Sequence, residues 1–280
     1  MPEPSDGPLI EFKDVSLRYG DTVALNKLSL AVSPGETRVI FGAAGSGKTS
    51  LLKAVIGLIR VDQGEIKLFG EEVTSRKEQD LFNLRSRVGI VFQEGGLFDS
   101  LTVGENVEYP LLNRQISAGN GKHPFSADFE QRVREALRFV ELEQTYDQFP
   151  SALSGGMRRR VGIARARVTE PPLILYDSPT AGLDPITANT IMALVVKERD
   201  VHNTTSLIVT HRYQDGEMMA NFRYDLQTEE LMHVPDEDEQ QQGRTKFIVM
   251  KEGKTVFFGS RQELEKSQDE YVKRFVKKEE

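Results

Sequence analysis

The chain has 280 residues, of which 38% are hydrophobic and 28% are charged, a composition typical of a globular protein that buries a large core. Its net charge of −7 argues against a general nucleic-acid-binding surface, and the absence of cysteine excludes disulfides, thiol catalysis and cysteine metal sites. Residues 1–8 lack the basic start and apolar run of a signal peptide. No apolar run approaches the roughly 20 residues of a membrane span, so we expect any membrane role to be peripheral.

The predicted elements begin with two half-buried strands at 9–17 and 23–32, where apolar and polar residues alternate. A β-branched run at 37–41 predicts a third strand, and apolar residues at helical spacing predict a helix from Lys48 to Leu58. Further strands are predicted at 64–69, 88–92, 173–176 and 206–210, and further helices at 101–145, with a turn-rich loop at 115–127, and at 186–198. Strands that alternate with helices favour a mostly parallel α/β sheet, here interrupted by an inserted helical region.

The last part of the chain departs from this alternation. Residues 227–245, which include the run PDEDEQQQG, are acidic and Gln-rich and are predicted to form an exposed insertion. Residues 246–249 and 255–258 predict a hairpin, and residues 261–280 predict a charged helix with apolar residues on one side. That helix could regulate the protein, stabilise a dimer or only cover its own domain.

The segment after the third predicted strand matches the phosphate-binding pattern G-x-x-x-x-G-K-[ST]. Its residues are Gly42, Ala43, Ala44, Gly45, Ser46, Gly47, Lys48 and Thr49, followed by Ser50. Glycines let successive backbone N–H groups face one anion, and the start of the following helix adds its positive dipole end. Lys48 can reach the β- and γ-phosphates, and the Thr49 hydroxyl can ligate Mg²⁺. We therefore predict ATP and Mg²⁺ as the cofactors of this loop.

Asp177 follows the predicted strand at 173–176. A carboxylate at the carboxyl end of a buried strand can hold Mg²⁺ directly or through water, although such an aspartate alone is more often a turn residue. Paired with the loop at 42–49, Asp177 is predicted to be a metal ligand.

A second glycine-rich turn, Leu153-Ser154-Gly155-Gly156-Met157, opens a predicted helix rich in alanine and arginine. The Ser154 hydroxyl and the bare backbone N–H groups can face an anion, although this turn alone could be a plain helix cap. Together with the loop at 42–49 and Asp177, the turn resembles the LSGGQ signature of ABC ATPases, with Met157 in place of Gln. The resemblance extends over residues 9–260.

This resemblance implies the P-loop NTPase ABC-ATPase fold, with an ABC ATPase domain at 1–260. An N-terminal antiparallel β subdomain, a mostly parallel RecA-like core sheet and an inserted α-helical subdomain at about 95–165 are then expected. The resemblance also implies that Tyr19 stacks on adenine, that Gln93 senses Mg²⁺ and the γ-phosphate, and that His211 contacts the γ-phosphate. Taken singly, these three could be a surface aromatic, a solvated amide and a core histidine.

A head-to-tail dimer is also implied, either a homodimer or a pair with another ATPase. Each ATP would lie between the loop of one subunit and Ser154, Gly155 and Gly156 of the other, and residues 181–184 are similar to the D-loop that contacts the opposite subunit. Dimer closure would move an integral-membrane permease, which places the chain in the cytoplasm on the inner face of the cell membrane. No nucleic-acid partner is expected.

The run LFDSLTVGENVEYPL at 97–111 resembles the ATPases of the Mla/Mce phospholipid-transport group, while amino-acid and lipoprotein-export ATPases share a looser version. The resemblance implies transport of phospholipid or another hydrophobic substrate, with a lipid-binding Mce/Mla-type protein as a further partner. Leu97–Val107 is the candidate permease contact, and its alternative interpretation is a buried helix start.

One residue departs from the ABC pattern, and with Gln93 and His211 it completes the candidate catalytic set. The position after Asp177, usually a Glu that polarises the attacking water, is Ser178. A hydroxyl is not basic near neutral pH, so we predict strong ATP binding with hydrolysis slowed about 10²–10⁴-fold. Alternatively, Asp184 or Glu94 supplies the carboxylate, or the chain is a regulatory or structural ATP-binding subunit.

Overall fold

The computed structural model describes residues 7–117, 127–235 and 243–276. The strands are β1 (Ile10–Tyr19), β2 (Thr22–Val32), β3 (Thr37–Gly42), β4 (Gln63–Leu68), β5 (Glu71–Glu72), β6 (Val88–Val91), β7 (Leu173–Asp177), β8 (Thr205–Val209), β9 (Phe222–Asp225), β10 (Glu230–His233), β11 (Thr245–Lys251) and β12 (Lys254–Gly259). The helices are α1 (Lys48–Val55), α2 (Glu78–Arg85), α3 (Val103–Ser117), α4 (Ala127–Phe139), α5 (Gly155–Arg167), α6 (Pro185–His202), α7 (Tyr213–Asn221), α8 (Arg261–Glu265) and α9 (Glu270–Lys273).

The N-terminal sheet is antiparallel and has the strand order β2-β1-β4-β5. Alternation along β1 places Ile10, Phe12, Val15 and Leu17 in the core, as the sequence pattern predicts. This face packs on α1 and on one side of the central sheet. The predicted antiparallel subdomain is therefore confirmed, and it carries Tyr19 at the end of β1.

The central sheet has the order β12-β11-β3-β8-β7-β6, and every neighbouring pair is parallel except β11 with β12. All six residues of β3 are buried, as expected for a strand covered on both faces. Because parallel strands end at the same edge of a sheet, the carboxyl ends of β3, β7 and β8 lie side by side. Ligands of open α/β sheets bind at this edge. The predicted phosphate-binding loop, metal ligand and histidine lie at or just after the ends of these three strands.

Helices α3, α4 and α5 form the region between β6 and β7, inside the segment predicted as an inserted helical subdomain. Val133, Leu137 and Val140 recur at helical spacing within the region predicted to be helical, and all three are fully buried. The exact limits of 95–165 for this subdomain stay a prediction. Among the described residues, no helix combines the length and apolar character needed to cross a bilayer.

The C-terminal part differs from its prediction. Residues 261–276 form two short helices instead of one: the first ends at Glu265, and Asp269 caps the second by accepting hydrogen bonds from two backbone N–H groups. Within the predicted insertion at 227–245, β10 pairs with the preceding β9 and β11 begins at Thr245, and the limits of the insertion stay a prediction. Most of PDEDEQQQG, most of the loop at 115–127, residues 1–6 and residues 277–280 lie outside the described residues.

Candidate nucleotide-binding site

The loop between β3 and α1 is held in a conformation that only glycine allows at its last turn. Gly47 has φ +102°, and a Cβ atom there would lie 2.1 Å from the backbone oxygen of Ala24. Gly47 is also the N-cap of α1, so the first N–H groups of that helix have no partner within the helix. The loop therefore presents unpaired donors at the positive end of a helix, the arrangement that binds phosphate.

Lys48 lies across its own loop. Its ammonium group donates to the backbone oxygens of Gly42 at 2.7 Å and Ala43 at 2.9 Å. Burial lowers the pKa of Lys48, and the nearby carboxylate of Asp177 opposes this effect. A cation that is held beside unpaired N–H groups adds to the attraction for an anion.

A cleft of about 500 Å³ joins this loop to the ends of the neighbouring strands. The predicted site residues that line it are Tyr19, Gly42, Ala44, Gly45, Ser46, Gly47, Lys48, Thr49, Ser50, Gln93, Asp177, Ser178 and His211. Sequence reasoning missed Thr22, Ala24 and Val209, which also line the cleft. These three carry no motif, and their position follows from β2 and β8 packing around the loop. Ala43 does not line the cleft, although it belongs to the loop.

The parallel register explains why distant residues meet here. Asp177 is paired with Val209, and Val209 is paired with Ile40 two residues before the loop. His211 follows β8 by two residues and is exposed at the cleft. The strand ends and the start of α1 therefore bring a lysine, a carboxylate and an imidazole to one cleft.

Ser178 occupies a backbone conformation that is unusual for its type. Its φ is +49°, and its N–H donates to the oxygen of Val209 at 2.8 Å, which continues the β7–β8 ladder. Its hydroxyl donates to an Asp177 carboxylate oxygen at 3.4 Å. The side chain therefore faces Asp177, the predicted metal ligand, and brings no carboxylate of its own.

Neither of the two alternative carboxylates lines the cleft. Asp184 caps α6 by accepting the backbone N–H of Thr187 at 3.0 Å, and hydrogen bonding by the side chain and then the backbone of Thr187 lowers the pKa of Asp184. Glu94 is exposed beside Gln93, outside the lining residues. Among the described residues, Asp177 is the one carboxylate of the cleft.

The signature turn at 153–157 lies outside this cleft, against the loop that follows Ser178. Ser154 caps α5 by accepting the N–H of Met157 at 3.2 Å, and a Cβ atom on Gly156 would lie 2.6 Å from Thr187. None of Ser154, Gly155 and Gly156 lines the cleft. Their backbone and hydroxyl groups are therefore not supplied to the chain's own loop.

Buried Arg159 of α5 fixes the loop after β7. Its guanidinium donates to the backbone oxygens of Ser178 at 3.2 Å, Pro179 at 3.0 Å and Ala181 at 2.8 Å. One rigid side chain therefore satisfies three carbonyl groups that no strand or helix pairs.

Buried Asp215 connects that same loop to the segment around His211. Its carboxylate accepts the hydroxyl of Thr180 at 2.5 Å, the hydroxyl of Thr210 at 2.6 Å and the guanidinium of Arg212 at 3.1 Å. Burial raises the pKa of Asp215, and these three donors oppose that effect. No motif in the sequence identifies this hub.

A second cavity of about 500 Å³ lies between α2, β6 and the helical region. Its lining includes four exposed aromatic side chains, Phe82, Phe92, Phe98 and Tyr109, and the rings of the last two lie 4.9 Å apart. Within the predicted permease contact, Leu97–Val107, Phe98 is the one residue that lines this groove. Val103 and Val107 are fully buried, so for these two the interpretation as a buried helix start is correct.

Comparisons with known proteins agree with this geometry. The sequence profile of the family described as ABC transporter matches residues 25–181. The methionine import ATP-binding protein MetN of Brucella abortus (strain 2308) is 39% identical over 210 residues, which are 75% of this chain and 55% of that protein. The chain thus spans about half the length of the MetN relatives that it matches.

Two further similarities cover more of the compared protein. The intermembrane phospholipid transport system ATP-binding protein MlaF of Haemophilus influenzae is 34% identical over 216 residues, 77% of this chain and 79% of that protein. The dimeric post-hydrolysis structure of the ATP-binding cassette MJ0796 bound to ADP and Pi has a TM-score of 0.73 and 28% identity, and the match covers 90% of this chain and 98% of that one.

The sheet, the loop and the cleft define a P-loop protein of the ATP-binding cassette fold, so the predicted fold class is confirmed. The chain belongs to the ABC transporter family. The resemblance to Mla-type ATPases is supported by one group of relatives, and MetN is an equally close group.

Proposed function

We propose that the chain is an ATP-binding subunit of an ABC transporter and that it holds ATP and Mg²⁺ in the cleft at Gly42–Ser50. The observation that carries this proposal is the convergence of the loop with Asp177 and His211 in one cleft. The unpaired N–H groups before α1 and the ammonium of Lys48 suit a triphosphate. Thr49, Gln93 and Asp177 supply a hydroxyl, an amide and a carboxylate, which are the oxygen donors that Mg²⁺ prefers.

The remaining residues of the cleft would orient the nucleotide. Tyr19 is exposed at its rim and offers a ring face for adenine, and His211 offers a nitrogen to the γ-phosphate. Mg²⁺ supplies neutralisation of phosphate charge when it is bound.

A second subunit would complete this site. Ser154, Gly155 and Gly156 do not line the cleft of their own chain, so a head-to-tail arrangement is required for them to face a nucleotide. The D-loop at 181–184 is fixed beside them by Arg159. This arrangement supports a homodimer or a pair with another ATPase, whose closure is driven by preferential binding of ATP to the closed state.

Hydrolysis at this site is proposed to be slow. Ser178 points its hydroxyl at Asp177, and neither Asp184 nor Glu94 lines the cleft as a replacement base. The energising function and a regulatory function with little hydrolysis therefore remain two forms of the same proposal. Phosphate release by the assembled transporter, measured against the Ser178→Glu variant, separates them.

The transported substrate is proposed to be phospholipid or another hydrophobic molecule. The similarity to MlaF extends over 79% of that protein and supports this choice, with a lipid-binding Mce/Mla-type protein as a further partner. Methionine is the second candidate, because the MetN relatives reach 39% identity. The aromatic groove around Phe98 and Tyr109 is the proposed contact for the permease, which would hold the chain on the cytoplasmic face of the membrane.

The nucleotide proposal is tested by titrating the purified chain with a fluorescent ATP analogue, with Mg²⁺ and with EDTA. Saturable binding that requires Mg²⁺ and is lost in Lys48→Ala supports it. No binding by the wild type, or equal binding by Lys48→Ala, refutes it.

The substrate proposal is tested on the complex that co-purifies with the tagged chain from membranes of its host. Phosphate release by this complex in proteoliposomes is measured with added phospholipid vesicles and with L-methionine. Stimulation by phospholipid, lost in Lys48→Ala, supports lipid transport. Stimulation by methionine alone assigns the chain to the second candidate.

A further inference from the structure

The C-terminal strap, residues 261–276 with α8 and α9, contacts the loop at 42–49 through Tyr271 and the residue before the loop through Phe275. The hydroxyl of Tyr271 accepts the backbone N–H of Ala43 at 3.2 Å and donates to the backbone oxygen of Met250 at 3.1 Å. Ala43 is the loop residue that does not line the cleft, so this hydrogen bond uses an N–H group of a residue outside the cleft lining. One side chain thus joins the loop to β11.

The position of this hydroxyl is fixed by its surroundings. Asp269 accepts the backbone N–H of Tyr271 at 2.7 Å at the start of α9. The ring of Tyr271 lies edge-on to Phe275 at 5.2 Å, and Phe275 stacks on Phe41 at 6.4 Å between ring centres. Phe41 immediately precedes the loop. The contact between the rings of Phe41 and Phe275 therefore joins this end of the loop to the strap.

The β11–β12 hairpin contacts the loop beside the strap. The N–H of Gly253 donates to the backbone oxygen of Ser46 at 3.2 Å, and a Cβ atom on Gly42 would lie 2.6 Å from the oxygen of Met250. The strap also reaches α7, because the Tyr213 hydroxyl donates to the Glu265 carboxylate. Residues 250–276 therefore contact the backbone of the loop both near its start and near its end.

We propose that Tyr271 is a positioning residue for the phosphate-binding loop, and that nucleotide affinity depends on the docking of the C-terminal strap through its hydroxyl. The loop must be ordered before it can bind phosphates, and binding to an ordered loop costs less conformational entropy than binding to a loose one. The inference rests on the proposed binding of ATP in the cleft. It adds a dependence of that binding on a residue that touches no nucleotide.

The test compares Tyr271→Phe, which removes the hydroxyl and keeps the ring, with the matched control Tyr224→Phe on β9, which belongs to a different sheet from β3 and does not line the cleft. Binding of Mg-ATP to the full chain is measured by calorimetry, and hydrogen exchange of the peptide containing residues 42–49 is measured without nucleotide. Loss of hydrogen bonds of this kind is expected to weaken Mg-ATP binding about three- to tenfold and to speed exchange in the loop. The control is expected to change neither.

The outcomes separate this inference from the proposed function. If the wild type binds Mg-ATP and Tyr271→Phe binds equally, with unchanged exchange in the loop, the positioning role is refuted while ATP binding stands. If the wild type binds no Mg-ATP, the proposed function fails and the affinity dependence fails with it. A role in stability alone would lower the unfolding temperature and leave the dissociation constant of the folded protein unchanged, which also refutes positioning.

Discussion

Replacing Ser178 with Glu should raise the rate of ATP hydrolysis. The Ser178 hydroxyl lies 3.4 Å from a carboxylate oxygen of Asp177 and cannot accept a proton from water near neutral pH. A glutamate at this position extends two carbons further and would place a base beside the proposed γ-phosphate position. The backbone already holds a non-glycine residue at φ +49°, so the substitution adds no new strain at Cβ.

The expected size follows from the role of the base. A positioned general base contributes about 10²–10⁴-fold to a rate, which corresponds to roughly 3–5 kcal/mol of activation free energy. Positioning and charge neutralisation by Lys48, Thr49 and His211 are unchanged by the substitution, so the wild type should retain a slow but measurable rate. We therefore expect Ser178→Glu to hydrolyse ATP at least a hundredfold faster, with similar affinity.

The assay is steady-state phosphate release at saturating Mg-ATP by the assembled transporter. Ser178→Gln is the matched control, because it has the length of Glu without its basicity, and it should remain at the wild-type rate. Lys48→Ala gives the background. A wild-type rate equal to that of Ser178→Glu, or equal acceleration by Gln and Glu, would show that no base is missing.

Three further predictions address the loop and its supports. Gly47→Ala should abolish Mg-ATP binding, because its Cβ would collide with the backbone of β2, whereas Gly70→Ala, with φ +78° in open space between β4 and β5, should bind normally in the same titration. Burial raises the pKa of Asp215, so its contribution to stability is largest below the unfolded-state pKa of about 3.9 and is lost as pH rises through the folded-state value. The free energy of unfolding of wild type relative to Asp215→Asn, from urea titrations, should therefore fall as pH rises above about 4, and a constant difference would contradict this. Arg159→Lys should lower the free energy of unfolding by about 1–3 kcal/mol because it leaves buried carbonyls unpaired, whereas Arg134→Lys, at an exposed ion pair, should leave it nearly unchanged.

The parts of the fold that the sequence predicts correctly are those with strong local patterns. Alternation identifies β1 and β2, and the glycine pattern locates the loop before α1 because only that pattern permits its backbone. The β9–β10 hairpin was missed, since Phe222–Asp225 has no clear alternation of burial and forms a separate two-stranded sheet. Its existence depends on packing against α6 and not on a local signal.

The site was predictable where residues belong to a motif and unpredictable where they only support one. Asp177 was predicted from its place at the end of a buried strand, and Gln93 and His211 from the resemblance to ABC ATPases, and all three line the cleft. Asp215 and Tyr271 make tertiary contacts with residues far away in the chain. The spacing of residues in the sequence does not indicate such contacts.

The position of β3 at the centre of the sheet has a consequence for the order of folding. Thr37 at its start pairs with Ser206 of β8 on one side and with Thr245 of β11 on the other, so its two neighbours come from far later in the chain. Closing such long loops lowers the chain entropy before the strand contacts form and stabilise the fold. Topologies of this kind therefore fold slowly. The phosphate-binding loop lies early in the chain but should become ordered late in folding. Collapsed intermediates that lack β11 should therefore not bind nucleotide. ATP added during refolding would then stabilise the finished chain without accelerating the step that builds its loop.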